Sequence, residues 1–255
     1  MDFELLLVVL TVGTGAVWAW DRWLRRTGEE RERDADPWYI DLPRSLFPVI
    51  LIVLLIRSFA AEPFRIPSGS MIPTLHAGDF ILVNKISYGV RPPVIGTRLF
   101  GSGQPERGEV AVFRYPADPS QDYIKRVVAI PGDEVRYADR RLFINGEPVE
   151  QVRRGAYEGP RTDAEAEVFR ETLGEISYDI LIHPGSPGGS FEYTVPEDHY
   201  FVLGDNRDRS ADSRMWGPVS DDQLVGRAFL IWMSWDGVES RIAWERIGDR
   251  IHSSE

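Results

Sequence analysis

The chain has 255 residues, of which 43% are hydrophobic, and it carries a formal net charge of −11. This length supports one large domain or two small ones with a real core, and the acidic balance argues against nucleic acid as a partner. The chain has no cysteine, which excludes disulfides, thiolate metal ligands and a cysteine nucleophile.

The first predicted element is an apolar helix. Leu5 to Trp20 reads LLLVVLTVGTGAVWAW and contains no charged residue. A cleavable signal peptide is the alternative, but its n-region is positive, whereas this chain opens MDFE and has its arginines after the apolar run. We therefore predict a retained transmembrane helix over residues 1–22.

A second apolar run, SLFPVILIVLLI, extends from Ser45 to Ile56. By length alone it could be a buried or interfacial helix. If Arg57 extends its guanidinium to the headgroups, the segment continues to Ala61 and reaches roughly 26 Å, close to a hydrocarbon core of about 30 Å. We predict a second transmembrane helix over 45–61 and a connecting loop over 23–44.

The distribution of arginine predicts the orientation of these helices. Several arginines lie between residues 22 and 44, and no Lys or Arg precedes the first helix. Because cytoplasmic loops carry an excess of Lys and Arg, we expect the loop to be cytoplasmic. Both termini, and residues 62–255, would then be extracytoplasmic.

The remainder of the chain has a β-type pattern. Short β-branched and aromatic runs are separated by Gly, Pro, Asn and Asp; they read DFILVNKISYGV, GEVAVFRY, DYIKRVVAI, RLFINGEPV, HYFVLGD and QLVGRAFLIWMSW. Asn145-Gly146 predicts a two-residue hairpin, and a short helix is possible near 162–175. The segment at about 137–196 is more polar and less regular. We predict a mainly β domain over 62–255 with a smaller inserted lobe at about 137–196.

The serines in FRIPSGSMIPTLHAGD, residues 64–79, raise the question of a catalytic site. A serine hydroxyl is a weak nucleophile until a base takes its proton. The histidines, at positions 76, 183, 199 and 252, are scattered, and no G-x-S-x-G elbow is present. A Ser-His-Asp triad is therefore not supported. Without cysteine or paired histidines we also predict no metal and no cofactor.

The remaining candidate base is a lysine. Only Lys85 and Lys125 are lysines among 29 basic residues, and arginine effectively cannot lose its proton. Strand alternation places Tyr123, Lys125 and Val127 on one face, so Lys125 has apolar or aromatic neighbours. Burial there would lower the lysine pKa and favour the neutral amine. An exposed strand lysine is the alternative.

The segment GDNRDRSADSR, residues 204–214, has two readings by itself. Its three aspartates suggest a calcium loop, but the central glycine and alternating carboxylates of an EF-hand are missing. A solvated, salt-bridged turn is favoured when the segment is taken alone.

Taken together, the motifs carry a specific resemblance. PSGSMIPTL, DYIKRVVAIPGDEV and GDNRDRSADSR, in this order behind two apolar segments, resemble bacterial type I signal peptidases of the Gram-negative form with two N-terminal helices. RGEVAVFRYPADP adds a further similar block, and the resemblance extends to about Trp235. It implies a serine endopeptidase of the bacterial inner membrane whose catalytic domain is periplasmic.

The resemblance also implies residue roles. Ser70 is the nucleophile and Lys125 its general base, and the Ser70 backbone N–H and the Ser68 hydroxyl form the oxyanion hole. Ser210 hydrogen-bonds and orients the lysine. The supporting loop contains Asp205, Asp212 and Arg214, of which the last two are expected to pair.

The implied substrate is an exported preprotein, cut after small residues in an A-x-A pattern. The expected partners are signal peptides emerging from the secretion translocon and membrane lipid, with no nucleic acid, and the protein is expected to be a monomer. Trp232 and Trp235 are candidates for a lipid-facing surface and equally for the core. Arg209 departs from the Asn common in the family, and the inserted lobe should be smaller than in the largest Gram-negative members.

Two other functions compete with this one. A self-cleaving repressor uses a similar Ser-Lys pair, but such proteins are soluble, and two membrane spans count against this alternative. A membrane-tethered, non-catalytic β domain that binds envelope proteins fits the architecture. Under this alternative the presence of Ser70, Lys125 and Ser210 in their motifs would be a coincidence.

Overall fold

The computed structural model describes residues 3–26, 37–55, 61–89, 103–159, 163, 165–186, 188–237 and 239–251. The chain divides into two compact units. One contains Met1–Ala61 with Val90–Phe100, and the other contains Glu62–Gly89 with Gly101–Glu255.

The first unit contains two helices, α1 (Phe3–Arg26) and α2 (Trp38–Leu55). Their apolar stretches are 19 and 18 residues long, which at about 1.5 Å per residue nearly spans a hydrocarbon core of about 30 Å. The Trp18 and Phe47 rings lie 5.3 Å apart across the helix pair. Both helices are long and apolar enough to cross a membrane.

The second helix begins earlier than the predicted span of 45–61. The Pro37 carbonyl accepts hydrogen bonds from Ile40 N at 2.8 Å and Asp41 N at 3.1 Å, which starts the first turn. Asp41 and Arg44 lie within this helix, and their side chains pair with each other at 2.6 Å. Ala61 belongs to the first strand rather than to the helix. Residues 27–36 of the predicted loop and 56–60 of the predicted span lie outside the described residues.

The second unit is built on an eight-stranded sheet, as a mainly β domain requires. Its strands are β1 (Ala61–Arg65), β2 (Asp79–Asn84), β3 (Val110–Tyr115), β4 (Asp118–Ala129), β12 (His199–Leu203), β13 (Val219–Ser220), β14 (Leu224–Asp236) and β15 (Arg241–Ile242). The order is β1-β2-β14-β3-β4-β12-β13, with β15 paired to β14. A short helix, α3 (Ser213–Trp216), follows β12. All six strand-like runs of the sequence form strands of this unit.

An inserted lobe occupies the chain between β4 and β12. Its strands are β5 (Glu134–Ala138), β6 (Arg141–Ile144), β7 (Glu147–Pro148), β8 (Glu150–Ala156), β9 (Glu167–Leu173), β10 (Ile176–Ile182) and β11 (Phe191–Thr194). They form one sheet of order β10-β9-β8 and another of order β11-β5-β6-β7.

Two local expectations in the lobe have different outcomes. The hairpin at Asn145-Gly146 is confirmed: both residues have positive φ, 54° and 81°, and Ile144 pairs with Glu147, as a type I′ turn requires. The short helix considered near 162–175 is wrong, because residues 167–173 form β9, which is hydrogen-bonded to β8 on one side and β10 on the other. Thr162 itself lies outside the described residues.

The end of β4 is the most enclosed part of the sheet. All residues from Ile124 to Ala129 are buried, and the apolar ones belong to three buried clusters. Val128 and Ala129 pack in one apolar cluster with Val135 and Ile180 of the lobe. Any polar side chain in this stretch is therefore removed from water.

Candidate active site

Ser70 lies in the turn-rich segment that joins β1 to β2. Its neighbour Met71 and the nearby Leu75 are fully buried, and Leu75 N donates to Met71 O at 2.9 Å. These apolar anchors hold the segment against the core, while Ser70 itself stays partly accessible.

Lys125 projects from the enclosed end of β4 to this serine. Its side-chain nitrogen, Nζ, donates to Ser70 Oγ at 2.8 Å and to the Ile124 carbonyl at 2.9 Å. The residue is only 4% exposed, and Nζ lies 5.5 Å from the centre of the Tyr123 ring. A strand lysine is thus held in contact with a hydroxyl in a largely dry environment.

This environment changes the protonation of the lysine. Burial lowers the pKa of Lys125 from 10.5 to about 8, although the charges of Asp212 and Asp205 oppose the shift. At pH 7 about one molecule in ten then has a neutral amine, compared with fewer than about one in a thousand for an unperturbed lysine. A neutral amine in contact with a hydroxyl can act as its general base.

Ser68 is the second serine of the segment. It is exposed, and its hydroxyl oxygen lies 3.3 Å from that of Ser70. The hydroxyl therefore borders the space in front of Ser70, where the oxygen of a reacting carbonyl would lie.

Ser210 does not make the hydrogen bond to Lys125 that we expected. Its hydroxyl is buried and has no hydrogen-bond partner among the described residues. It packs on Gly204 so closely that a Cβ at position 204 would overlap both Ser210 Oγ and the Ser70 carbonyl oxygen. The glycine therefore permits the approach of Ser210 to the nucleophile segment, although the Ser210 hydroxyl makes no hydrogen bond with the lysine.

Asp212 and Arg214 form the pair that the sequence suggested. Arg214 donates from Nε and Nη2 to the two carboxylate oxygens of Asp212, each at 2.8 Å. Asp212 also accepts from Gly204 N at 3.0 Å. The carboxylate thereby links the start of α3 to the glycine beside Ser210.

Asp205 pairs with Arg126, a contact that the sequence did not predict. Arg126, the neighbour of Lys125 on β4, donates to both oxygens of Asp205 at 2.8 and 2.6 Å. Both side chains are almost completely buried, and Arg126 also donates to the Gly108 carbonyl at 2.6 Å. This ion pair joins the lysine-bearing strand to the 204–214 segment.

A second buried ion pair joins that segment to the lobe. Arg207 donates to the two oxygens of Glu171 on β9 at 2.8 and 2.5 Å, and neither side chain is exposed. Tyr178 on β10 donates to Glu171 at 3.0 Å, and the Arg207 carbonyl accepts from Arg214 at 2.5 Å. The lobe therefore helps to hold the loop that lies behind Ser70 and Lys125.

A third group of polar residues was also missed from the sequence. Asp163, His183 and Asn206 are all buried and lie within hydrogen-bond or ion-pair distance of one another. Arg209 contacts Asp163 at 3.1 Å. No sequence signal marks this group, because its members come together only when the lobe folds against the 204–214 segment.

Two further observations concern metals and lipid. In the described part of the chain, no group of three or more His, Asp or Glu side chains is arranged to hold a metal ion. Trp232 and Trp235 are 42% and 43% exposed, so they are not plain core residues.

Comparison with known proteins identifies the family of the chain. Residues 39–235 match the family described as signal peptidase, peptidase S26. Signal peptidase I of Pseudomonas fluorescens is 51% identical over 215 residues, covering 78% of this chain and 74% of that protein. Signal peptidase I of Pseudomonas aeruginosa is 43% identical over 271 aligned residues, covering 92% and 93%. A crystal structure of a signal peptidase I from Enterococcus faecalis is 28% identical and covers 49% of this chain and 96% of its own, with a TM-score of 0.31. The chain belongs to the signal peptidase family of serine peptidases, peptidase S26.

Proposed function

We propose that this protein removes N-terminal signal peptides from exported preproteins by a Ser-Lys dyad mechanism. The observation that carries the proposal is the 2.8 Å contact between Lys125 Nζ and Ser70 Oγ at a lysine that is 4% exposed. Family membership supports the substrate class.

The reaction has two halves. Neutral Lys125 takes the proton of Ser70 as Ser70 Oγ attacks the scissile carbonyl, and the protonated lysine then gives that proton to the leaving amine. The acyl-enzyme is cleaved by a water molecule, which Lys125 deprotonates in its turn, and the released Ser70 recovers its proton.

Deacylation therefore needs the same lysine in the same place. The buried contact of Asp205 with Arg126 joins the lysine-bearing strand to the 204–214 loop, and Asp212 holds Gly204 within that loop.

The oxyanion that forms in each half requires hydrogen-bond donors. The Ser70 N–H and the Ser68 hydroxyl are the donors that we propose; the Ser68 hydroxyl lies 3.3 Å from Ser70 Oγ. Ser68→Ala should lower kcat by roughly 10²- to 10³-fold and leave KM near its wild-type value, because the donor acts on the transition state rather than on bound substrate. Steady-state cleavage of a preprotein measures both constants, and a wild-type kcat in this variant contradicts the role.

The pKa of Lys125 predicts a pH dependence. The active form is the neutral amine, so kcat/KM should rise with pH, about tenfold per unit well below the pKa of about 8, and flatten above it. The profile is measured on the wild-type chain in detergent. A rise that continues to the range of an ordinary lysine, near pH 10.5, would contradict a buried base.

The substrate preference is proposed to be a small-residue A-x-A pattern before the cleavage site. A preprotein segment can add as an extended strand beside Ser70 and place alternate small side chains in shallow pockets. The purified chain, incubated in detergent with a labelled preprotein, should produce a new N-terminus at the signal junction. Ser70→Ala should produce none, and the absence of cleavage by the wild-type chain would refute the function and favour the non-catalytic binding domain.

The chain is membrane-anchored, and we propose that residues 62–255 lie on the periplasmic side of the inner membrane. The arginines between the two helices support this orientation. In intact cells an impermeant thiol reagent should label Arg153→Cys, an exposed lobe position, and should not label Glu30→Cys. Since the wild-type chain has no cysteine, each variant reports a single position, and the opposite pattern would reverse the topology.

The proposed partners follow from this placement. Preproteins would arrive from the secretion translocon, and the exposed rings of Trp232 and Trp235 can contact lipid headgroups. We propose that the protein works as a monomer, because the dyad is formed entirely within one chain.

A further inference from the structure

Asn206 holds the backbone on both sides of the nucleophile. Its backbone N–H donates to the Ser70 carbonyl at 3.1 Å, and its side-chain Nδ2 donates to the Gly69 carbonyl at 3.2 Å. The residue is 2% exposed, so these hydrogen bonds are shielded from water.

The orientation of the Asn206 amide is determined by its surroundings. Nδ2 faces the Gly69 carbonyl and an Asp163 oxygen, at 3.2 and 3.3 Å, and both of these groups only accept hydrogen bonds. The amide oxygen therefore faces His183 Nε2, 3.2 Å away, and that nitrogen must carry the proton. A rotated amide would direct its oxygen at two acceptors, so the observed orientation is strongly preferred.

The Gly69 carbonyl belongs to the peptide unit that contains the Ser70 N–H. A trans peptide is planar, and its C=O and N–H point in opposite directions; among the described residues only the Ile72-Pro73 bond is cis. When Asn206 holds the Gly69 carbonyl toward the interior, the Ser70 N–H is directed to the opposite side. In the described part of the chain that N–H donates to no other group.

We propose that Asn206 is a positioning residue that orients the Gly69–Ser70 peptide so that the Ser70 N–H donates to the oxyanion. His183 and Asp163 of the lobe act through Asn206 by fixing its amide. This inference rests on the proposed function, because an oxyanion forms only if Ser70 attacks a carbonyl. The Gly69 carbonyl also accepts from Ile72 N at 3.2 Å within the turn, and Asn206 adds the contact that links this peptide to His183 and Asp163. The inference thereby assigns the lobe a part in catalysis, since His183 and Asp163 belong to it.

The test compares a probe that fills the oxyanion hole with one that does not. A substrate-like peptide aldehyde forms a tetrahedral adduct with Ser70, whereas the same peptide with a carboxylate end binds without one. In full-length protein in detergent, Asn206→Ala should lower kcat about 10- to 100-fold, because a small misplacement of a catalytic group can cost up to about 10²-fold, with KM within about twofold. The inhibition constant of the aldehyde should rise by a similar factor, and the dissociation constant of the carboxylate peptide should stay unchanged.

Asn145→Ala is the matched control. Asn145 also makes two side-chain hydrogen bonds, with Glu134 N and Asp133, each at 2.9 Å, but it lies in the lobe hairpin away from Ser70. It should lower thermal stability and leave kcat and the aldehyde constant at wild-type values. If Asn206→Ala does not fold, the same measurements are made on Asn206→Ser, whose side chain is too short to reach Gly69.

Three outcomes overturn the inference. A folded Asn206 variant with wild-type kcat overturns the role of Asn206 but leaves the proposed function intact. An equal loss of affinity for the aldehyde and the carboxylate peptide also overturns it, because a general loosening of the site would weaken both. If the wild-type chain cleaves no preprotein, the proposed function fails and this inference fails with it.

Discussion

Lys125→Arg is expected to lose signal-peptide cleavage by several orders of magnitude while the protein still folds and inserts. Arginine keeps the positive charge and much of the side-chain length, so a purely structural contact with Ser70 would largely survive. Its pKa stays above about 12, so no neutral base is available to Ser70 at any usable pH. Cleavage of a preprotein by the purified variant, prepared free of host peptidase, measures the loss.

Lys85→Arg is the control for this substitution, since Lys85 is the only other lysine. Its Nζ pairs with Glu62 at 3.1 Å, and a guanidinium can make the same pair. This variant should cleave at nearly the wild-type rate. Substantial cleavage by Lys125→Arg would refute the Ser-Lys mechanism even though the chain belongs to the signal peptidase family.

Glu171→Ala should destabilise the second unit by about 3–5 kcal/mol, because it leaves the Arg207 guanidinium buried without a counter-charge. The lost stability should be accompanied by lower activity, since Arg207 also supports Arg214 through its carbonyl. The free energy of unfolding, measured by urea denaturation of the full chain in detergent, tests the prediction.

A neighbouring ion pair on the same strand provides the control. Glu167 on β9 pairs with Arg153 at 2.6 Å, but the two side chains are 30% and 58% exposed. Because water screens exposed pairs, Glu167→Ala should change stability by less than about 1 kcal/mol. If the two substitutions have equal effects, burial is not what makes the Glu171 contact important.

Several features were determined by local sequence. The apolar runs predicted two helices, because a helix of that length and composition needs no partner segment to be recognised. Five of the six β-branched runs predicted strands of the main sheet, and the sixth, RLFINGEPV, predicted a hairpin of the lobe. Asn145-Gly146 predicted the turn of that hairpin, because positive φ at both positions is a local requirement. Alternation on β4 placed Lys125 with Tyr123, and the order of the motifs identified the family.

Other features were decided only by tertiary structure. Apart from the hairpin at Asn145-Gly146, the strands of the lobe were not recognised individually. Many residues of β8 and β9 are polar and partly exposed, so no period of two marks these strands. The start of α2 at Trp38 was missed because the uncharged run begins only at Ser45, whereas the helix also includes the charged residues Asp41 and Arg44.

The contacts that support the candidate site were also decided only by the tertiary structure. Asn206, His183 and Glu171 have no spacing that relates them, since they come from different strands and loops of the fold. The lowered pKa of Lys125 likewise depends on its burial at the enclosed end of β4. Ser70 and Lys125 can be identified in the sequence as candidate residues. The contact between them, and the desolvation that makes the lysine a base, arise from long-range packing.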